Sequence, residues 1–154
     1  MNALFQRVSL FAGLMVVLSG AAFAAQPAST GLGQAWPNAP DVSNSPNFHA
    51  YVFIRGGIKY IQVNDLNGNV LGAIGTANGA FITLPVGRFA RQVSTPEEPA
   101  EATDSAPDGS TTPVYQDDTT TVTATPMSDG TVRLSAMAAT GTCDPIECNS
   151  KNSQ

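Results

Sequence analysis

The chain has 154 residues, of which 42 % are apolar and only 12 % charged, with a formal net charge of −5. Soluble domains average about 25 % charged residues, so Ser, Thr, Asn and Gln supply most of the polarity here. One histidine and two cysteines exclude a multi-histidine zinc site and a four-cysteine cluster, and the length leaves room for one domain rather than a two-domain enzyme.

Residues 1–24 read as a secretory signal peptide. Arg7 supplies the positive start, residues 8–18 are almost unbroken apolar, and Ala22-Phe23-Ala24 gives the small-x-small pattern before a cleavage point. The apolar stretch falls short of the about 20 residues that span a bilayer. A lipoprotein would need cysteine just after Leu18-Ser19-Gly20, where this chain has Ala21. The expectation is an exported product, periplasmic or extracellular, starting at Ala25 and without a membrane anchor.

Residues 25–47 hold four prolines and no apolar periodicity. They read as a flexible lead in which Trp36 is the one residue suited to docking. Residues 48–93 read as a β-meander. Strand-like runs at 48–55, 58–65, 70–74 and 81–86 are punctuated by Gly56-Gly57, Asn67-Gly68 and Asn78-Gly79, pairs that accept the positive φ of tight hairpins. Residues 94–113 interleave Pro96, Pro99, Pro107 and Pro113 with five acidic residues, a composition that favours a disordered or loosely draped linker. Residues 114–138 give a β-hairpin around Ser128-Asp129-Gly130, with arms at 119–124 and 131–138. Residues 139–154 form a tail in which Cys143 and Cys148 are expected to pair in an oxidising compartment. That loop is short, so closing it contributes only on the order of 2 kcal/mol. The fold class is therefore all-β: a four-strand antiparallel meander plus a C-terminal hairpin, closing as a small sandwich or open barrel.

Candidate chemistry is sparse. A hydrolase triad would have to use His49, and no Gly-x-Ser-x-Gly elbow occurs. Asp65, Asn67 and Asn69 begin like a calcium loop, but Val70 and Thr76 stand where the pattern needs Gly and Glu. A tight turn accounts for the same residues. Thr119, Thr121, Thr123 and Thr125 share one strand face, which suits an exposed strand and, more sharply, an ice- or glycan-binding array. No metal, no cofactor and no catalytic residue is assigned.

Charge divides along the chain. Arg55, Lys59, Arg88 and Arg91 face Asp65 alone in the meander, whereas ten acids oppose Arg133 and Lys151 after residue 93. The acidic arm either stays solvated or covers a basic site. Nucleic-acid binding does not suit an exported acidic chain.

The tight turns also fix register. They pair Arg55 with Ile58, Ile61 with Ile74, and Ala73 with Leu84, and so sort the meander's side chains onto two faces. One face carries Ala50, Val52, Ile54, Ile61, Val63, Val70, Ile74 and Phe81. The other carries Tyr51, Phe53, Ile58, Tyr60, Leu71, Ile82, Leu84 and Val86. Both are apolar, and the hairpin can cover only one. The expectation is an exposed partner-binding patch of Tyr51, Phe53, Tyr60 and Leu71, rimmed by Arg55 and Arg91, because aromatic residues and arginine are enriched at contacts. The function that follows is a non-catalytic exported β-domain binding a protein or envelope component, or a second copy of itself. A periplasmic hydrolase inhibitor and a glycan-binding module are the alternatives.

Overall fold

The computed structural model describes residues 28–139. The meander forms as β1 Phe48–Arg55, β2 Ile58–Asp65, β3 Val70–Ala77 and β4 Ala80–Leu84, in the spatial order β1-β2-β3-β4. Its register matches the turn chemistry: Arg55 opposes Ile58, Ile61 opposes Ile74, and Ala73 opposes Leu84. At the β3–β4 turn, Asn78 and Gly79 both take positive φ, 52° and 83°, the geometry whose twist suits a two-residue hairpin. One irregularity interrupts the pattern. A bulge between Val63 and Asn64 sets Asn64 against Val70, next to the Asn67-Gly68 turn.

The C-terminal hairpin is part of a second four-stranded sheet. Its strands are β5 Val93–Ser94, β6 Thr112–Gln116, β7 Thr120–Pro126 and β8 Val132–Ala138, in the order β5-β8-β7-β6. A single 3-10 turn, Ala90–Gln92, leads into β5, which runs parallel to β8. β6 contains Pro113 and lies at the edge of its sheet, where a missing N–H breaks no ladder between strands. The two sheets pack as a sandwich and do not close into a barrel. Between them lie Ala50, Ile61, Val63, Ile74 and Phe81 from the first sheet, and Val114, Val122, Ala124, Leu134 and Ala136 from the second. Burying each large side chain of this set contributes about 1.5–3 kcal/mol. Gly72 faces this core, and a Cβ there would stand 2.7 Å from Val93 Cγ2 and 3.0 Å from Leu134 Cδ1, so the sheets approach most closely where the side chain is absent.

The described part of the lead and the acidic segment 94–113 are held to the sheets rather than left loose. Residues 30–38 form a closed loop through the Thr30–Asn38 bridge. The chain then pairs with the free edge of β1, Val42 N–H donating to Ala50 O, and crosses to β6, where Asn44 N–H donates to Val114 O. It thereby covers one edge of each sheet, the device that keeps edges from pairing with other chains. Farther along, Pro107 bridges Met127, and Ser128 N–H donates to Ala106 O. Neither segment has the apolar content for a core of its own, but hydrogen bonds to a preformed sheet do not require one.

Candidate functional site

The face of the first sheet that points away from the sandwich collects β1 odd positions and β2 even positions, and so includes Tyr51, Phe53, Arg55 and Tyr60 of the expected contact patch, while Leu71 of β3 joins the hydrophobic core cluster. Most of that patch is buried. Tyr51 is 5 % exposed, Phe53 fully buried and Leu71 2 % exposed. The covering comes from two directions. Gly33 N–H donates to Gln62 Oε1 at 2.6 Å, and Gln62 Nε2 donates to Gln34 O at 2.8 Å and to Asn64 Oδ1 at 2.9 Å. Asn64 Nδ2 in turn donates to Ala35 O and Gly68 O. Gln62 and Asn64 are both fully buried, so this polar pair fastens the lead onto the middle of the sheet. From the other side, Arg88 and Phe89 donate their N–H groups to Val70 O and Leu71 O, laying the 87–89 backbone against β3.

The patch of Tyr51, Phe53, Tyr60 and Leu71 is thus divided. Tyr60 remains half-buried, Arg55 is exposed at the β1–β2 turn, and Ile82 is 48 % exposed on β4. Register sets Phe53, Tyr60, Gly75 and Ile82 in one row across the four strands. Gly75 lets the flanking side chains close over β3, because a Cβ there would meet Ile82 at 2.9 Å and Tyr60 at 3.4 Å. A shallow apolar groove of about 140 Å³ lies beside this row, walled by Ile58, Thr76, Ala80 and Ile82.

Arg91 sits elsewhere. It lies on the 3-10 turn, beside an open depression of about 750 Å³ shared with Thr83, Pro85, Glu97, Glu98 and Glu101. Arg91 Nε stands 3.5 Å from Glu101 Oε2, both side chains well exposed, an arrangement that contributes little to stability. Glu98 accepts the Thr83 N–H of β4 at 2.7 Å, and this bond holds its carboxyl below the usual carboxylate range. The acidic segment therefore touches the basic meander at two points.

Three clusters were hidden from sequence reasoning. His49, Asp41, Trp36 and Tyr51 meet at the rim of the outer face. His49 Nδ1 lies 2.6 Å from Asp41 Oδ2, Trp36 meets the imidazole edge-on at 5.5 Å between ring centres, and Tyr51 stacks on it at 6.2 Å. Burial opposes ionisation of Asp41, yet bonds from His49, Ala50 N–H and Ser43 N–H outweigh it and hold the carboxyl below its ordinary value. A second cluster joins the sheets: Lys59 of β2 donates to Asp117 Oδ2 and, at 2.8 Å, to Thr119 Oγ1, while Tyr115 donates to the same Asp117 oxygen at 2.6 Å. Burial again opposes ionisation of Asp117, but Lys59, Tyr115 and Thr119 overcome it and keep the carboxyl far below its usual range; burial and Asp117 together push the Tyr115 phenol well up. The Asp-x-x-Thr spelling of 117–120, with Asp117 accepting the N–H groups of Thr119 and Thr120, is the one local signal that marks this turn.

The third cluster is a platform. Trp36, 60 % exposed, lies flat on Gly68, where a Cβ would come within 2.8 Å of Cε2, Cζ2 and Nε1 of the indole. Next to it opens a depression of about 510 Å³ lined by Asn67, Asn69, Gly87 and Arg88. The Asp65 turn beside it holds itself: Asp65 Oδ1 accepts the N–H groups of Asn67 and Asn69, and Oδ2 accepts Asn69 Nδ2. Of the threonine array, Thr121, Thr123 and Thr125 lie half-buried on the outer side of β7, where Thr123 donates to Ser135 O and Thr125 bonds with Thr111, whereas Thr119 precedes the strand and serves Lys59. Cys143 and Cys148 lie outside the described residues. Among the described residues no three His, Cys, Asp or Glu side chains converge as metal ligands, and no helix is long and apolar enough to cross a membrane. No protein-family model matches the chain, and no curated protein or solved structure matches it.

Proposed function

We propose that this chain is an exported, non-catalytic β-domain that binds a protein partner of the cell envelope through the uncovered end of its first sheet. The observation that carries the reading is the row of Tyr60, Gly75 and Ile82. Here a large apolar side chain stays 48 % exposed beside a half-buried tyrosine on an ordered sheet, with Arg55 at the margin. Rigid strands present aromatic and arginine contacts without the ordering cost of a loop. The non-catalytic part rests on the sequence, which has a single imidazole and no Gly-x-Ser-x-Gly elbow. Export rests on the signal-like residues 1–24, and the Cys143–Cys148 pair belongs to the same reading.

The test uses the exported chain as bait in envelope extract, beside a Tyr60→Ser/Ile82→Ser variant. A protein retained by the native surface and lost from the variant supports the proposal. Identical retention by both, or none by either, refutes it. Assaying the retained protein for hydrolase activity with and without the bait separates an inhibitor from a simple docking domain. N-terminal sequencing of the exported form checks cleavage after Ala24, and intact mass before and after reduction checks the disulfide.

A further inference from the structure

We infer that Trp36 and the adjoining depression form a second site, independent of the Tyr60 surface, that binds an acidic glycan. Four observations carry this. First, Trp36 is held in place although it is exposed: the indole lies on Gly68, meets His49 edge-on, and belongs to a loop fastened by Gln62 and Asn64. An exposed large aromatic side chain costs apolar hydration unless something covers it, and here its position is fixed before any ligand arrives. Second, the electron-rich face of an indole suits the C–H groups on one side of a sugar ring. Third, the neighbouring 510 Å³ depression is open and shallow, and it is bordered by the Asn67 amide and by the glycines Gly68 and Gly87, which keep its floor low. Amide groups match sugar hydroxyls as both donor and acceptor.

The fourth observation sets the charge of the ligand. Arg88 is exposed at the same depression, lies 5.8 Å from the Phe89 ring centre, and makes no ion pair among the described residues. Asp65, whose charge Arg88 influences, already spends both carboxylate oxygens on its own turn. A guanidinium with free donors on the wall of a depression that adjoins an aromatic platform through Gly68 fits a sugar carrying a carboxylate, which it can bind in bidentate fashion. The ligand class is therefore a uronic-acid polysaccharide, with one ring on Trp36 and a carboxylate on Arg88.

Trp36 is the only tryptophan of the chain, so its fluorescence reports the site directly. Oligogalacturonate and a glucose oligomer of equal length are the two probes, titrated into the exported chain at low ionic strength. Saturable change with oligogalacturonate is expected, with weaker response to the glucose oligomer. Arg88→Gln should weaken the acidic probe about tenfold and leave the neutral one unchanged, the size of one lost charged hydrogen bond. Trp36→Ala, followed by calorimetry because the fluorophore is gone, should abolish both. Tyr60→Ser/Ile82→Ser should leave these titrations intact, which separates this site from the protein-binding surface. The inference is overturned if neither oligomer gives a saturable response, if both bind equally, or if Arg88→Gln and Trp36→Ala bind oligogalacturonate as the native chain does.

Discussion

Replacing Gln62 by leucine should release the N-terminal lead while leaving the sandwich folded. The native side chain is fully buried and makes three hydrogen bonds, with Gly33 N–H, Gln34 O and Asn64 Oδ1. Leucine fills similar volume but makes none of them. Two of these bonds, to Gly33 and Gln34, hold the lead, and each contributes about 0.5–1.5 kcal/mol net, so the lead loses about 1–3 kcal/mol of its hold on the sheet. The loss need not spread, because Gly33, Gln34 and Ala35 can return to water by lifting off, and the core between the sheets does not contain Gln62. Local opening of this kind is what native-state hydrogen exchange measures. The amides of Thr30, Gln34 and Val42, bonded to Asn38 O, Gly31 O and Ala50 O, should lose about 5- to 150-fold protection. Amides in the β7–β8 ladder should change far less. Unaltered protection across the lead would show that Gln62 does not hold it. Equal loss in the lead and in β7–β8 would show that the lead and the sandwich open as one unit. Either result refutes the reasoning.

Gly72→Ala should destabilise by about 1–3 kcal/mol in urea unfolding, because the new Cβ meets Val93 and Leu134 at 2.7 and 3.0 Å in the packed core; an unchanged midpoint would show that the sheets can part without cost. Gly68→Ala should disturb Trp36 as well as the turn, since Gly68 has φ +81° and its Cβ would enter the indole, so Trp36 anisotropy should fall and oligogalacturonate binding weaken. Asp117 is held below its ordinary 3.8 and Tyr115 above its ordinary 10.0, so their contribution to stability is present between those values. It is lost as pH falls below 3.8 toward the lowered carboxyl, and again as pH rises past 10.0 toward the raised phenol. Denaturation midpoints across pH should accordingly show a shallower acid limb and a shallower alkaline limb in Asp117→Asn than in the native chain; identical slopes would contradict the assignment.

How much of this was legible beforehand depends on how local the cause is. The meander could be read because its turns are chemically specified: Asn78-Gly79 and Gly56-Gly57 accept positive φ, and a two-residue turn fixes every pair on the strands that flank it. Register followed from the turns, and face assignment followed from register. The C-terminal hairpin was legible from its Ser128-Asp129-Gly130 turn, though its buried residues Val122, Ala124, Leu134 and Ala136 were identified only in the structure. β5 and β6 were not visible, because two residues in parallel pairing and an edge strand containing Pro113 have too little pattern of their own; their partners create them. The candidate site failed at the same boundary. Tyr51 and Phe53 do lie on the face that the hairpin leaves uncovered, as register required, whereas Leu71 joins the hydrophobic core cluster; what covers that face is a polar loop whose attachment depends on Gln62 and Asn64. In the sequence those two residues look like the solvated positions of an alternating strand. They are buried only because residues 33–35, far away along the chain, bring backbone groups that match their amides. The loop that carries Trp36 and the segment that carries Arg88 come to line one depression through the same docking, which joins a loop before β1 to one after β4. Local chemistry set the strands, the turns and the register, whereas the exposed surface was decided by which distant polar groups could satisfy one another once the sheet existed.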